Sequence, residues 1–154
     1  IKPHAPKYFD NKLKTTVLLS LSSILNSLLP ELQPYKNVYN SLNDFIDSLN
    51  SENWISLYIF WELDLIKELG FGLSLNDYRN EINEMSDFTS IKIDNLNYKV
   101  PNFLILNTPI KNNIDKRKIA QYLNFTRNIL LNKFFIPNNL IFPKSRTLLE
   151  NYFN

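Results

Sequence analysis

The stretch that decides the fold is Trp54–Leu73, WISLYIFWELDLIKELGFGL, in which 13 of the 20 residues are apolar or aromatic. One face carries apolar residues at three- and four-residue spacing: Trp54, Leu57, Tyr58, Trp61, Leu65 and Leu69. A second apolar face is formed by Ile55, Ile59, Phe60, Leu63 and Ile66. A helix that is apolar nearly all round is typical of the centre of a bundle. Gly70 and Gly72, the only glycines of the chain, predict that this central helix stops at Gly70 in a left-handed residue.

The composition narrows the class of protein. A chain of 154 residues fits one domain. The absence of cysteine excludes disulfides and cysteine-based zinc or iron–sulfur sites. With one histidine and no cluster of carboxylates, we expect no metal, no cofactor and no small-molecule substrate. No apolar run is long enough to span a membrane, and IKPHAPKYFD is not a signal peptide, so we expect no membrane partner. The chain starts with Ile1, and we therefore expect a processed protein or a fragment of a longer one.

The charge is unevenly distributed, although its net value is only +2. Residues 1–100 hold 9 Lys/Arg and 13 Asp/Glu, whereas residues 101–154 hold 8 and 2. The basic last third indicates a patch that binds nucleic acid or an acidic peptide. The alternative, a basic face that contacts only solvent, is about as compatible with the sequence.

Two helices are predicted before the central one. The first runs from about Asp10 to Leu29, with Asp10 or Asn11 as its cap. The second runs from Pro34 or Tyr35 to Leu49 and carries one clean apolar stripe. Ser51 is a candidate cap for the central helix.

The pattern changes after Gly72. We expect a short helix from Asn76 or Asp77 to Met85, followed by a β-hairpin over Ser90–Val100 with its turn at Asp94-Asn95. An extended link should then run over Pro101–Pro109. Two further helices are expected, a long one from Ile114 or Asp115 to about Phe135 and a last one over Lys144–Tyr152. These elements predict an all-α fold, a helical bundle around a buried central helix with a small irregular or β-hairpin insertion at about residues 74–100.

Little in the sequence supports enzymatic chemistry. The lone histidine, His4, lies in a proline-containing lead-in, and two glycines cannot build a glycine-rich phosphate loop. On the central helix, Glu62 and Asp64 fall on different faces, and Asp64 and Glu68 are like charges on the exposed side. We therefore expect a non-enzymatic protein. We expect Glu62 to hold a neighbouring backbone group or a basic residue rather than to face solvent.

Basic residues are the better candidates for function. Those of the last third that we expect to bind nucleic acid or an acidic tail are Lys116, Arg117, Lys118, Arg127, Lys133, Lys144 and Arg146. Three consecutive cations at a helix start oppose the helix dipole at a cost of a few tenths of a kcal/mol, which favours a functional use. The aromatic residues between them could stack on bases, but at helical spacing core packing is the commoner role: Tyr122, Phe125, Phe134 and Phe135.

Five segments resemble, in order, the C-terminal helical domain of the bacterial RecO family. They are LLPELQPYKNVYNSLNDFIDSL (residues 28–49), YIFWELDLIKELGFGLSL (58–75), YKVPNFLI (98–105), YLNFTRNILLNKF (122–134) and PKSRTLLENYF (143–153). The second is similar to the family signature F/W-E-L-x-L-L-x-E-L-G-F/Y, and the third to its P-x-F-L segment. The resemblance covers roughly residues 8–153.

The resemblance implies a cytoplasmic recombination mediator in DNA repair rather than an enzyme. Such a protein binds DNA, partners RecR, docks the acidic, Phe-ended tail of single-stranded-DNA-binding protein, and helps to load the RecA recombinase. We interpret residues 1–154 as one such helical domain without the family's N-terminal OB-fold. Tyr78 stands near the first position of the family's zinc-binding cysteines, so we expect no zinc.

Two further expectations follow. An acidic tail ending in an aromatic residue would fit a small apolar groove between helices that is rimmed by cations. We place Lys116, Arg117, Lys118 and Arg127 at that rim. The competing interpretation is a RecO-like bundle reused as a structural subunit of a larger assembly, such as a ribonucleoprotein of the mitochondrial matrix, with RNA or neighbouring subunits as partners.

Overall fold

The computed structural model of the protein describes residues 12–29, 36–111 and 113–154. These residues divide into two compact units, a smaller one within residues 1–34 and 129–154 and a larger one over residues 35–128. The interpretation of residues 1–154 as a single domain stays a prediction.

The described residues form an all-α structure with one two-stranded insertion, as predicted. The helices are α1 (Lys12–Leu28), α2 (Lys36–Asp47), α3 (Trp54–Glu68), the short α4 (Asn102–Ile105), α5 (Lys116–Leu130) and α6 (Lys144–Tyr152). A 3₁₀ helix spans Leu75–Glu81, and a π-helical turn spans Leu131–Phe135. The strands are β1 (Phe88–Ile93) and β2 (Leu96–Pro101).

Helix α3 is buried on most of its surface, as its sequence predicts. Its buried residues are Trp54, Ile55, Ser56, Tyr58, Ile59, Trp61, Glu62, Leu63, Leu65 and Ile66. Within the larger unit, α3 contacts α2 through an edge-to-face pair of Phe45 and Tyr58, and α4 through a similar pair of Phe60 and Phe103. The predicted core helix of this unit is therefore confirmed.

The end of α3 is a Schellman motif. Gly70 has φ +100°, its N–H donates to the Lys67 carbonyl at 3.0 Å, and the Phe71 N–H donates to the Ile66 carbonyl at 3.2 Å. The predicted left-handed stop at Gly70 is confirmed. The predicted Ser51 cap is wrong. Asn53 precedes the helix, and Ser51 lies in a preceding turn, where its hydroxyl donates to Asn53 Oδ1 at 2.9 Å.

The predicted β-hairpin is confirmed and is longer than expected, since Phe88 pairs with Pro101 and Ile93 with Leu96. Asp94 and Asn95 form the turn with φ values of 50° and 68°. Positive values at both turn residues match the right-handed twist of a hairpin, and Asn and Asp tolerate this region better than other side chains with a Cβ. The turn therefore forms without glycine.

Two segments of the insertion differ from their predictions. The expected extended link contains α4, in which Phe103, Leu104 and Ile105 are all buried. A short apolar run is compatible with a buried helix as well as with an extended segment, so spacing alone did not distinguish them. The expected short helix ending at Met85 is a 3₁₀ helix that ends at Glu81.

In the smaller unit, α1 and α6 pack together, and the Ser145 hydroxyl donates to Ser23 Oγ at 3.3 Å. The Phe135 and Phe142 rings meet edge to face at 5.1 Å. The last helix has the predicted bounds. The long helix predicted to reach Phe135 changes to π geometry at Leu131, where the Ile136 N–H donates to the Leu131 carbonyl. The predicted starts of the first two helices lie outside the described residues.

Candidate binding surfaces

Three of the predicted cations lie together at the exposed start of α5, in the larger unit. Asp115 precedes them, and its Oδ1 accepts a hydrogen bond of 3.0 Å from the Arg117 N–H. A carboxylate at this position satisfies a free helix N–H and offsets the unfavourable effect of the dipole on Lys116, Arg117 and Lys118. The sequence thereby holds three cations at a helix start without losing the helix.

Lys118 is partly neutralised by a neighbour. Its Nζ lies 2.5 Å from Asp87 Oδ2 at the base of the hairpin, and the hydrogen bond to Asp87 raises the pKa of the lysine. Beside this pair, Lys99 on β2 lies 4.5 Å above the centre of the Phe88 ring. Lys118 therefore has less charge to offer an external anion than its ionised side chain alone would suggest.

The other predicted cations are less accessible or lie in the smaller unit. Arg127 and Lys133 are half-buried, and Lys144 is exposed. Arg146 is 0% exposed, and its Nη1 lies 3.5 Å from Glu150 Oε1 one helical turn along. A guanidinium in this position cannot contact a ligand on the surface, so Arg146 is not a candidate for binding nucleic acid or an acidic tail in the folded chain.

Core packing accounts for the aromatic residues near these cations. Tyr122 and Phe125 are buried and contact the rings of Phe88 and Tyr98 at centroid distances of 5.2 Å and 6.1 Å. Phe135 is likewise fully buried. Base stacking by these three rings is excluded in the folded chain, because their faces are covered.

The apolar pocket beside the start of α5 is small. It lies between Ile55 and Ile59 of α3, Ile110, and Ile119 and Tyr122 of α5, and its volume is about 10 Å³. That is space for at most one water molecule and not for an aromatic ring. The geometry does not favour the expected groove at this position.

A larger pocket lies elsewhere in the same unit, and we call it the Lys67 pocket. Its volume is about 150 Å³, comparable to cavities that hold a benzene ring. Its lining residues are Phe60, Leu63, Lys67, Leu73, Ser74, Leu75, Asn76, Leu104 and Asn107. The pocket thus combines an apolar floor with one cation and several polar groups.

Two helix ends shape the Lys67 pocket. The turn at Gly70 reverses the chain after α3, so that Leu73 and Leu75 lie beside that helix. Asn107, with φ 55°, ends α4 in a second Schellman motif, in which the Thr108 N–H donates to the Phe103 carbonyl. Our sequence reasoning missed Lys67. Its position seven residues after Phe60 and four after Leu63, on one helical face, is the signal that could have found it.

Neither a metal site nor a membrane span is found in the described parts of the chain. Residues 12–29, 36–111 and 113–154 contain no group of three His, Cys, Asp or Glu side chains that could hold a metal ion. No described helix is both long and apolar enough to cross a bilayer. The non-enzymatic interpretation stays a prediction.

Comparison with known proteins identifies the family. Residues 11–85 match the family described as "Recombination protein O C terminal". The chain is 29% identical to the DNA repair protein RecO of Wolbachia pipientis wMel over an alignment of 159 residues including gaps. The alignment covers 92% of the chain and 66% of that protein. It is 38% identical to the DNA repair protein RecO of Ehrlichia chaffeensis over 95 residues, 60% of the chain and 39% of that protein.

A further relative gives the same result over a shorter region. The identity to the DNA repair protein RecO of Anaplasma marginale is 34% over 70 residues, 45% of the chain and 29% of that protein. No solved structure matches the chain. The chain spans about two thirds of the length of the relatives that it matches over most of its residues. Residues 11–85, which include α3, the core helix of the larger unit, therefore match a RecO C-terminal domain, and the relatives that cover most of the chain carry the RecO name.

Proposed function

We propose that this chain acts as a recombination-mediator domain in DNA repair, and that its Lys67 pocket docks the acidic, Phe-ended tail of single-stranded-DNA-binding protein. The observation that carries the docking proposal is a ring-sized pocket whose lining combines apolar side chains with one lysine. The mediator role is supported by the relatives, each of which is named DNA repair protein RecO.

The chemistry of such a tail matches the pocket. The terminal phenyl ring would pack against Phe60, Leu63 and Leu104 and remove apolar surface from water. The terminal carboxylate would then lie near Lys67, and the side-chain amide of Asn107 could donate a further hydrogen bond. The predicted cations of the larger unit lie elsewhere, on α5. Lys67 is therefore the one cation in the pocket lining that the acidic residues of a tail would meet.

DNA binding is the second part of the proposal, and it uses the start of α5. Lys116 and Arg117 are exposed there, and cations of this kind neutralise phosphates and release counterions. With the tail in the Lys67 pocket and DNA at α5, one domain would hold both a strand and the protein that coats it. The partnership with RecR stays a prediction.

Fluorescence anisotropy of a labelled acidic peptide ending in Phe tests the docking. We expect Lys67→Glu to weaken binding at least tenfold, because it places a like charge beside the terminal carboxylate. A charge reversal at Lys116, Arg117 and Lys118 together should change the affinity less than threefold. Lys92→Glu, at an exposed hairpin position, is the matched control. If the α5 reversal abolishes peptide binding and Lys67→Glu does not, the tail docks at α5 and the placement in the Lys67 pocket is wrong.

Binding of a single-stranded oligonucleotide at several salt concentrations tests the DNA part. The affinity should fall as salt rises, and the α5 reversal should reduce the slope of log affinity against log salt by roughly 1.4, about 0.7 for each of the two phosphates that Lys116 and Arg117 no longer neutralise. Lys67→Glu should leave that slope unchanged. An affinity that does not respond to salt would contradict phosphate binding by this chain.

A further inference from the structure

A second groove of the larger unit lies between α2 and α3, and we call it the acidic groove. Its volume is about 190 Å³. Each side contributes four residues at helical spacing. On one side these are Ser41, Asp44 and Phe45 of α2 with Ser48 directly after that helix, and on the other Leu57, Phe60, Trp61 and Asp64 of α3. The groove therefore has an aromatic floor and a carboxylate on each wall.

Neither carboxylate is paired with a cation of the described residues. The ion pairs found in that part of the chain include Lys111 with Glu52, Lys118 with Asp87 and Arg146 with Glu150, and none involves Asp44 or Asp64. Partial burial raises the pKa of Asp64, Lys67 lowers it and Glu68 raises it. Lys67 thus offsets part of the charge of Asp64, and the second carboxylate, Asp44, still makes the groove favour a cationic ligand.

The hydroxyl groups of the groove add acceptors rather than donors. The Ser41 hydroxyl donates to the Val38 carbonyl at 2.9 Å, and the Ser48 hydroxyl donates to the Phe45 carbonyl at 2.6 Å. Each hydroxyl has one hydrogen, so both oxygens can only accept further bonds. The groove thus offers hydrogen-bond acceptors on several sides and would suit a ligand that carries several hydrogen-bond donors.

Trp61 supplies a second, independent observation. This side chain lines the groove and is 2% exposed, and its Nε1 has no acceptor among the described residues. Buried indole N–H groups usually have a partner, so a lone one calls for an explanation. The Nε1 atom is itself buried, so an acceptor of a bound ligand could reach it only if the indole ring shifts.

We propose that the acidic groove binds an arginine side chain of a partner protein. A planar guanidinium carries five N–H donors, packs on aromatic rings and forms forked hydrogen bonds with carboxylates. Asp44 and Asp64 would accept those bonds from the two walls, and the rings of Phe45 and Phe60 would form the floor. The buried indole of Trp61, which lines the same groove, would sense the bound guanidinium. This site shares Phe60 with the Lys67 pocket but prefers the opposite charge, and the inference does not depend on the proposed function.

Two-dimensional ¹⁵N–¹H NMR of the full chain tests the proposal, because a chain with two tryptophans gives two indole signals. The Trp54→Phe variant assigns them. The probes are N-acetyl-arginine methylamide, the citrulline analogue, which has nearly the same shape without the charge, and the lysine analogue. We expect the Trp61 indole signal to shift saturably with arginine, at least fivefold more weakly with lysine, and not with citrulline.

Charge-neutral variants make the test specific. Asp44→Asn and Asp64→Asn should each weaken arginine binding at least fivefold, while Asp47→Asn, an exposed position of α2 that does not line the groove, should leave it unchanged. The proposal is overturned by an equal response to citrulline, by equal affinity for lysine, or by full binding in both groove variants. These outcomes do not decide tail docking, because that proposal depends on Lys67 and this one on Asp44 and Asp64. The Lys67→Glu variant should therefore still bind arginine.

Discussion

The Thr126 hydroxyl on α5 donates a hydrogen bond of 2.6 Å to Glu62 Oε1 on α3, and both side chains are 0% exposed. This contact explains how a carboxyl group is accommodated on the buried side of the signature helix. Glu62 was expected to hold a backbone group or a basic residue; the structure gives it a threonine hydroxyl as one partner, and that expectation stays a prediction. The contact joins the helix that identifies the family to the helix that carries the proposed DNA-binding cations.

Replacing Thr126 by valine should destabilise the fold. The substitution keeps the shape and removes the donor, so a buried carboxyl oxygen loses a hydrogen bond, at a cost of about 1–3 kcal/mol in the free energy of unfolding. Denaturant unfolding measures the change. Thr147→Val, at an exposed position of α6, is the control and should stay within about 0.5 kcal/mol of the parent protein. A Thr126→Val variant as stable as the parent would show that this hydrogen bond is dispensable.

The turn after α3 predicts a difference between the two glycines. Gly70→Ala should cost about 1–2 kcal/mol, because an L residue at φ +100° is strained although nothing lies within 4 Å of the added Cβ. Gly72→Ala, where there is also open space and no positive φ, should be neutral or slightly stabilising. Thermal unfolding of the two variants side by side gives the comparison. Equal losses would mean that the left-handed conformation of Gly70 does not matter.

The burial of Arg146 predicts a structural role. Removing one member of a buried ion pair leaves the other charge without its partner, so Arg146→Ala should lower the free energy of unfolding by about 3–5 kcal/mol. Lys144→Ala, two residues earlier and exposed, should change it by less than about 0.5 kcal/mol. Denaturant unfolding again measures both. If Arg146→Ala instead keeps its stability and loses affinity for DNA, Arg146 is a binding residue after all.

The carboxyl of Asp64 predicts a pH-dependent effect on stability. A raised folded-state pKa means that the unfolded chain loses this proton first as the pH rises, so Asp64 lowers the stability of the fold above pH 4 or so. Asp64→Asn should therefore be more stable than the parent at neutral pH, and the difference should shrink as the pH falls below about 4. The charged groups near this carboxyl are Lys67 and Glu68 on the same helix and Asp44 across the groove. A gain that persists unchanged at pH 3 would have another cause.

Local signals in the sequence were sufficient for much of the fold. The apolar pattern of α3 and the glycine after it defined the core helix, and Asp94-Asn95 defined a hairpin turn that needed no glycine. The helix at Asn102–Ile105 was not predictable in this way. A four-residue apolar segment has no periodicity of its own, and its helical form depends on burial of Phe103 and Leu104 by the surrounding unit.

The candidate sites were harder to predict, because they depend on the turns between elements. Clusters of charge in the sequence pointed to the start of α5, whereas the Lys67 pocket forms only when the chain reverses at Gly70 and at Asn107. Arg146 was counted as a surface cation because the sequence did not show which face of α6 is buried. Glu150, four residues later, was the local signal for a paired and buried arginine.

The most direct test of the central claim measures whether Lys67 and the last carboxylate of an acidic, Phe-ended tail act on each other. Four affinities are needed, those of the parent chain and Lys67→Gln for a peptide that ends in a free carboxylate and for the same peptide ending in a carboxamide. We predict that removing the lysine weakens only the carboxylate form, with a coupling energy on the order of 0.5–1 kcal/mol. Equal losses for both peptides, and so a coupling of zero, would contradict docking of the tail's end in the Lys67 pocket.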